Sequence, residues 1–225
     1  MSGVLADSAG AAVLADVVGE RSVRTLRPRA SLFHEGDPSQ EAYFVHDGLL
    51  KIVTTAADGS QALVAFRGPN GLVGEYAAIE GVPRTASATA VVETAVTPIS
   101  RERLLTVLRN DPDTAISMLS SVVGHVRTMT DHVLALATDD PLALVARRLV
   151  QFVSDPIFAS IRTVTNESVS LSMPVSQLDL GRWAGVSHRS VGTSLRQLRC
   201  DGLISTARLR LEVHDVEALA ARAGS

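Results

Sequence analysis

The chain has 225 residues, 46% of them hydrophobic, with 21 Lys and Arg against 24 Asp and Glu for a formal net charge of -3. That suits one large or two small packed domains and excludes a generally basic nucleic-acid coat, so any affinity for DNA must come from a local patch. The single cysteine, Cys200, rules out an intramolecular disulfide and a cysteine-ligated iron–sulfur cluster, and the absence of a signal-peptide pattern or a long uncharged apolar run predicts a cytoplasmic protein with no membrane partner.

Residues 1–20 are rich in Ala, Val and Leu, and part of them is expected to form a short helix. From 24 to 99 the texture changes to short β-rich runs at 24–26, 31–34, 42–46, 49–55, 61–67, 72–74, 86–92 and 94–99. Turn signals fall between them at Gly36-Asp37, Asp47-Gly48, Asp58-Gly59 and Pro69-Asn70-Gly71. Many short strands at regular spacing predict a sandwich or a jelly-roll barrel.

Within that region, residues 74–90 read GEYAAIEGVPRTASATA, a short helix set between strands. The N–H groups at the start of a helix and the donor fork of Arg84 attract a phosphate, and Thr85 adds a hydroxyl. Glu75, following Gly74, can accept from a ribose hydroxyl. Together they suit a phosphate joined to a sugar. The plainer alternative is an exposed Glu75–Arg84 ion pair in a loop, which would mean little.

A helical pattern starts near Arg101 and breaks at Asp111-Pro112; a long one follows over 113–138. Along it Leu119, Val122, Val126, Met129, Val133 and Leu136 are spaced 3, 4, 3, 4 and 3, a short heptad seam. A helix packed on its own barrel also needs an apolar face, but a narrow seam on a long helix between two domains favours a parallel homodimer. Asp139-Asp140-Pro141 marks a hinge, with Asp140 capping a helix over 142–153 and Pro141 in its first turn. Residues 155–167 read as irregular or weakly helical, and 168–173 alternate like a strand.

Residues 176–201, SQLDLGRWAGVSHRSVGTSLRQLRCD, read as two short helices hinged at Gly185, with Ser176 and Ser187 as N-caps. Leu180, Trp183 and Ala184 of the first face inward, as do Val191, Leu195 and Leu198 of the second; Gly181 lets the helices approach. The outer face of the second carries His188, Arg189, Ser190, Thr193 and Arg196. A helix-turn-helix presents such a face to the DNA major groove, and the alternative is an ordinary helical hairpin. A small hairpin over 203–213 reads as a wing, with Arg208 and Arg210 near the DNA backbone, and Asp215 caps a last helix to about Arg222. The local patch the net charge calls for is here: Arg182, Arg189, Arg196, Arg199, Arg208 and Arg210 against Asp201.

Taken together, the chain resembles the cyclic-AMP receptor protein/fumarate-nitrate regulator (Crp/Fnr) family of bacterial transcription factors over roughly residues 20 to 214. The resemblance rests on the barrel turns at Gly36-Asp37 and Gly48 and on the cassette G-E-x-A-x(6)-R-T-A over 74–86. It rests also on the long helix and on S-x-x-S-V-G over 187–192. It implies an α+β chain in three parts: a cyclic-nucleotide-binding-type β jelly-roll barrel (1–110), a long dimerisation helix and hinge (111–139), and a winged helix-turn-helix DNA-binding domain (140–225).

By the resemblance, the effector is a cyclic nucleotide, cAMP or cGMP. Glu75 would hold the ribose 2′-hydroxyl, while Arg84, Thr85 and backbone near Gly74 hold the cyclic phosphate. The base would face the long helix, where Arg127, Thr128 and Thr130 are the nearest matches to the family's contacts. Counting back from Asp140 puts Met129 and Thr130 where the cyclic-AMP binders carry a Thr-Ser pair, and His125 where they carry an Arg. The phosphate half is kept and the base half departs, so a changed ligand, or none, stays open.

On the DNA side the founding member begins its recognition helix S-R-E-T-V-G-R and this chain S-H-R-S-V-G-T, which predicts a different half-site within a pseudo-palindromic operator in double-stranded DNA. Arg189 can donate bidentately to a guanine, and Gln177, Ser187, Arg196 and Arg199 are candidates for phosphate contacts. RNA polymerase is a further implied partner.

No nucleophile–base pair or Walker-type loop supports an enzyme. His125 and His132, one heptad apart, stand about 10 Å from each other, too far for one metal ion in a single chain. A nucleotide-binding module acting on a protein partner would need no recognition helix.

Overall fold

The computed structural model describes residues 23–164, 168–172, 175–208 and 210–224. The helix expected within 1–20 lies outside the described residues. The chain divides into two compact units: the first holds residues up to 60 and 64–130, and the second 61–63 and the residues from 131 on, so that one break falls inside the long helix.

The first unit is built on two four-stranded sheets. One runs β1 (Arg24–Leu26), β8 (Thr94–Ser100), β3 (Glu41–Asp47), β6 (Leu72–Val73); the other runs β2 (Ser31–Phe33), β7 (Ser87–Ala90), β4 (Leu50–Thr55), β5 (Gln61–Arg67). The pairs β1–β8, β8–β3, β3–β6, β2–β7 and β7–β4 are antiparallel, and β3 runs along β8 from Glu41 opposite Ser100 to Val45 opposite Val96. This is the expected jelly roll.

Strand periodicity explains how β3 is buried on both faces. Tyr43 and Val45 point between the sheets and join Leu50, Val73, Ala88, Ala90 and Val96 in the core. Ala42 and Phe44 point the other way, onto Ala78 of α1 (Glu75–Glu80), Ile99 and Leu104 of α2 (Arg101–Asn110). Ser100 caps α2 by accepting from the Arg103 N–H. Asp111-Pro112 then interrupts the helical path, and α3 (Pro112–Thr138) begins with Asp111 accepting from the Thr114 hydroxyl at 2.7 Å.

The second unit opens with α4 (Pro141–Ser154), capped by Asp140, which accepts from the Ala143 N–H at 2.8 Å. Its buried face meets Phe158 and Trp183, with ring centroids 4.7 and 4.9 Å from Phe152. The stretch 155–167, expected to be irregular or weakly helical, holds a 3-10 turn (Pro156–Ile161) and, beyond that expectation, a strand β9 (Arg162–Val164). The wing is correspondingly larger than the expected hairpin. Strands β11 (Ile204–Ala207) and β12 (Arg210–Val213) join β10 (Val169–Ser172) and β9 in a four-stranded sheet ordered β11-β12-β10-β9. The remaining helices are α5 (Gln177–Ala184), α6 (His188–Cys200) and α7 (Val216–Arg222), the last capped by Asp215.

Candidate functional site

In the first unit the cassette is a buried ionic site. Glu75 and Arg84 are 8% and 5% exposed, so the loop ion pair considered from sequence does not describe them. Gly74 makes the arrangement fit: it sits at φ 76, and a Cβ there would stand 2.3 Å from Arg84 Nη1. Arg84 Nη1 donates to the Gly74 carbonyl at 3.0 Å, and its guanidinium lies 4.2 Å from the centroid of Phe33. Its Nε is buried without a hydrogen-bond partner. Burial lowers the Arg84 pKa and raises that of Glu75, which Arg67 and then Arg84 pull back down. Thr85 is exposed at the rim.

The long helix contributes a residue outside the expected contacts. Tyr76 Oη lies 3.0 Å and Arg67 Nη2 3.4 Å from His125 Nδ1. Burial, and secondarily Arg67, hold the His125 imidazole neutral with its pKa lowered to about 4. Arg127 and Thr130 are exposed; Thr130 donates to the Val126 carbonyl one turn back at 2.9 Å. Arg127, two residues on from His125, projects from the opposite side of the helix.

The apolar stripe along α3 is exposed at Leu119, Val126, Met129, Val133 and Leu136, between 44% and 66%. Val122 is half-buried, while Ile116 and Val123 join the exposed face.

In the second unit, Ser176 and Asp179 form a reciprocal capping box at the start of α5. Gly185 turns the chain at φ 73, and Gly181 brings the helices together, since a Cβ there would lie 2.9 Å from the Val186 carbonyl oxygen. Val191, Leu195 and Leu198 are buried as expected. Arg148, itself buried, ties α4 to the end of α5: its Nε donates to the Trp183 carbonyl at 3.0 Å and its guanidinium stacks 4.7 Å from that indole. Burial pushes its pKa down to about 10.

The outer face divides by what is already engaged. The Ser187 hydroxyl caps α6 and lies 2.9 Å from the Ser190 hydroxyl, and Thr193 donates to the Arg189 carbonyl. Gln177, His188, Arg189 and Arg196 are exposed. Arg199 instead donates to the Thr206 hydroxyl of β11 at 3.0 Å, and Arg210 to the Ser170 hydroxyl at 2.7 Å. These two hold the wing to its neighbours. Arg208 is exposed at its tip. Among the described residues no cluster of His, Cys, Asp and Glu is arranged to hold a metal ion. No helix there is long and apolar enough to cross a membrane.

A jelly roll with a buried ionic cassette, followed along the chain by a long helix and a winged helix-turn-helix, defines the class of DNA-binding regulators that carry a cyclic-nucleotide-binding-type barrel. Residues 23–111 match the cyclic nucleotide-binding domain, and 145–222 the Crp-like helix-turn-helix domain. Arg127 and Thr130 fall between the two matches. A CRP-like cAMP-activated global transcriptional regulator of Mycobacterium tuberculosis is 25% identical over 86% of this chain and 84% of its own. The cyclic AMP receptor protein of Thermus thermophilus is 24% identical over 87% of this chain and 86% of its own. The c-di-GMP-responsive global regulator CLP of Xanthomonas campestris shares the fold, with a TM-score of 0.77 at 21% identity, over 91% of this chain and 99% of that one. The chain belongs to the Crp/Fnr family of transcriptional regulators.

Proposed function

We propose that the protein acts as a homodimer that grips a pseudo-palindromic operator in double-stranded DNA, and that a cyclic nucleotide, cAMP or cGMP, bound in the barrel governs that grip. The observation that carries the effector reading is Arg84: a guanidinium 5% exposed, stacked on Phe33, with a buried Nε lacking a partner. A buried cation in that state calls for an anion, and Glu75 beside it suits a sugar hydroxyl. The names of the mycobacterial and Thermus relatives, which refer to cAMP, support the same ligand class.

Homodimerisation is supported by the exposed apolar stripe from Ile116 to Leu136. Two recognition helices would then reach successive major grooves roughly 34 Å apart. Ligand binding shifts the population between two packings of the long helices and so re-aims the DNA-reading faces. On those faces Arg189 and His188 meet base edges, while Gln177, Ser187 and Arg196 meet phosphates. Ser190 and Thr193 shape the surface through their hydroxyls.

The test is a random-operator selection with and without each nucleotide, read beside sedimentation of the wild type and Val126→Asp. Enrichment of a two-fold symmetric site, dependent on nucleotide and lost with the dimer in the variant, is expected. No sequence preference under any condition would refute the regulator reading, and an intact Val126→Asp dimer would refute the seam.

A further inference from the structure

The ionic cassette continues past Glu75. That buried carboxylate feels two cations, Arg67 more strongly than Arg84. Arg67 donates through Nη1 to the Phe66 carbonyl at 3.1 Å and sets Nη2 3.4 Å from His125 Nδ1, the atom that Tyr76 Oη approaches to 3.0 Å. A guanidinium can only donate, so Nδ1 is the accepting nitrogen and the proton of this neutral ring sits on Nε2. Tyr76 Oη, which also accepts from Arg67, shares that single Nδ1 lone pair with the Arg67 fork. The corner is therefore rich in donors: the remaining N–H groups of the Arg67 fork and the Nε2–H of His125. Gly124, next to His125, leaves open space where a side chain would stand.

Both Arg84 and Arg67 bear on the Glu75 carboxylate, and Tyr76, next after Glu75 on α1, meets His125 of the long helix, so the corner adjoins the residue that suits a ribose. With its phosphate on Arg84 and its ribose on Glu75, a nucleotide extends its base to that corner. Guanine presents two acceptors, O6 and N7, on the edge where adenine presents N7 and an amino donor. Arginine pairs bidentately with the former pattern; it meets the amino group of adenine donor to donor.

We propose that Arg67 and His125 read the base and make the site selective for a 6-oxopurine cyclic nucleotide, cGMP, over cAMP. This rests on the cyclic-nucleotide reading above and goes beyond it by naming the base.

Calorimetric titration of the full-length protein with cGMP, cAMP and cyclic IMP tests it. Cyclic IMP keeps O6 and N7 and lacks the 2-amino group, so it should bind like cGMP, both about tenfold tighter than cAMP. In Arg67→Leu, cGMP and cyclic IMP should lose the larger factor, so that the preference collapses to near equality even as the loss of a charge acting on Glu75 weakens all three. Equal or tighter binding of cAMP by the wild type would overturn the base assignment and leave the effector reading intact. Loss of cyclic IMP binding with cGMP retained would move selectivity to the 2-amino group and overturn it too. A preference unchanged in Arg67→Leu would remove Arg67 from the role. If no cyclic nucleotide binds the wild type, the effector reading itself fails.

Discussion

The arginines of the two units work under opposite conditions. Arg84 is buried against Phe33 and the Gly74 carbonyl, in a setting that lowers its pKa. Arg189 and Arg196 stand exposed on the recognition helix. A buried guanidinium has already lost its water, so an anion that reaches it gains nearly the whole interaction, and bulk salt screens little of it. An exposed guanidinium keeps its water and its mobility until a polyanion arrives, and its contribution then falls steeply with salt. The same side chain serves as an anchor for one small ligand in the first setting and as a contact to a polyelectrolyte in the second.

The largest effect that would sharpen this contrast is at Arg84. Arg84→Met keeps the volume and removes the buried charge, so the ligand-free protein should melt at the same temperature or higher. Cyclic-nucleotide affinity should fall about a hundredfold or more by calorimetry. A simple loss of folding would mean that Arg84 is structural.

On the exposed side, Arg189→Ala should cost about 1–3 kcal/mol on the preferred operator and relax preference at one position. Arg196→Ala should weaken all sequences alike and flatten the salt dependence by about one ion. If the two variants behave identically, the division between base and phosphate contacts fails.

The half-buried imidazoles offer a smaller test. His125 and His132 have pKa values lowered to about 4, the second by burial and then by Arg148 and Arg147. The unfolded chain therefore takes up protons before the folded one does, and the stability present above pH 6.5 drains away as pH falls towards 4. A His125→Gln, His132→Gln double variant should lose less melting temperature than the wild type across that window, and parallel curves would count against both assignments.

The smallest effect is at Gly192, inside the recognition helix, where an added Cβ meets nothing within 4 Å. Gly192→Ala should stabilise the free protein by up to about 1 kcal/mol through helix propensity. If the helix backbone there lies against DNA, the same change should weaken operator binding. Unchanged affinity would place Gly192 away from the duplex.

Most of the fold is legible locally. Turns such as Asp58-Gly59 bracket β-rich runs, and Ser100, Asp140, Ser176, Ser187 and Asp215 cap their helices where a hydroxyl or carboxylate precedes an apolar period. The strand Arg162–Val164 is too short to show alternation, and it is defined by pairing with β10 rather than by its own residues. The seam of α3 illustrates a limit of periodicity. Two interleaved stripes share Leu119, Val126 and Val133, and only burial separates Val122 from Val123.

Gly74, Glu75, Arg84 and Thr85 are readable as a contiguous motif. The Arg67–His125 and Tyr76–His125 contacts join residues 58 and 49 positions apart, with no spacing rule to link them. The sequence does mark position 125 as a departure, and that departure sits beside the cassette.

The turn of the helix-turn-helix has one more implication, for anyone building chimaeras. Gly185 lies so close to the last stretch of α3 that a methyl group there would fall 2.5 Å from Leu136 Cδ2. The two positions are in close contact. A reading head grafted from a relative with a larger residue at the turn will seat only once the exposed Leu136 side chain turns aside, and that residue must still hold a φ of 73.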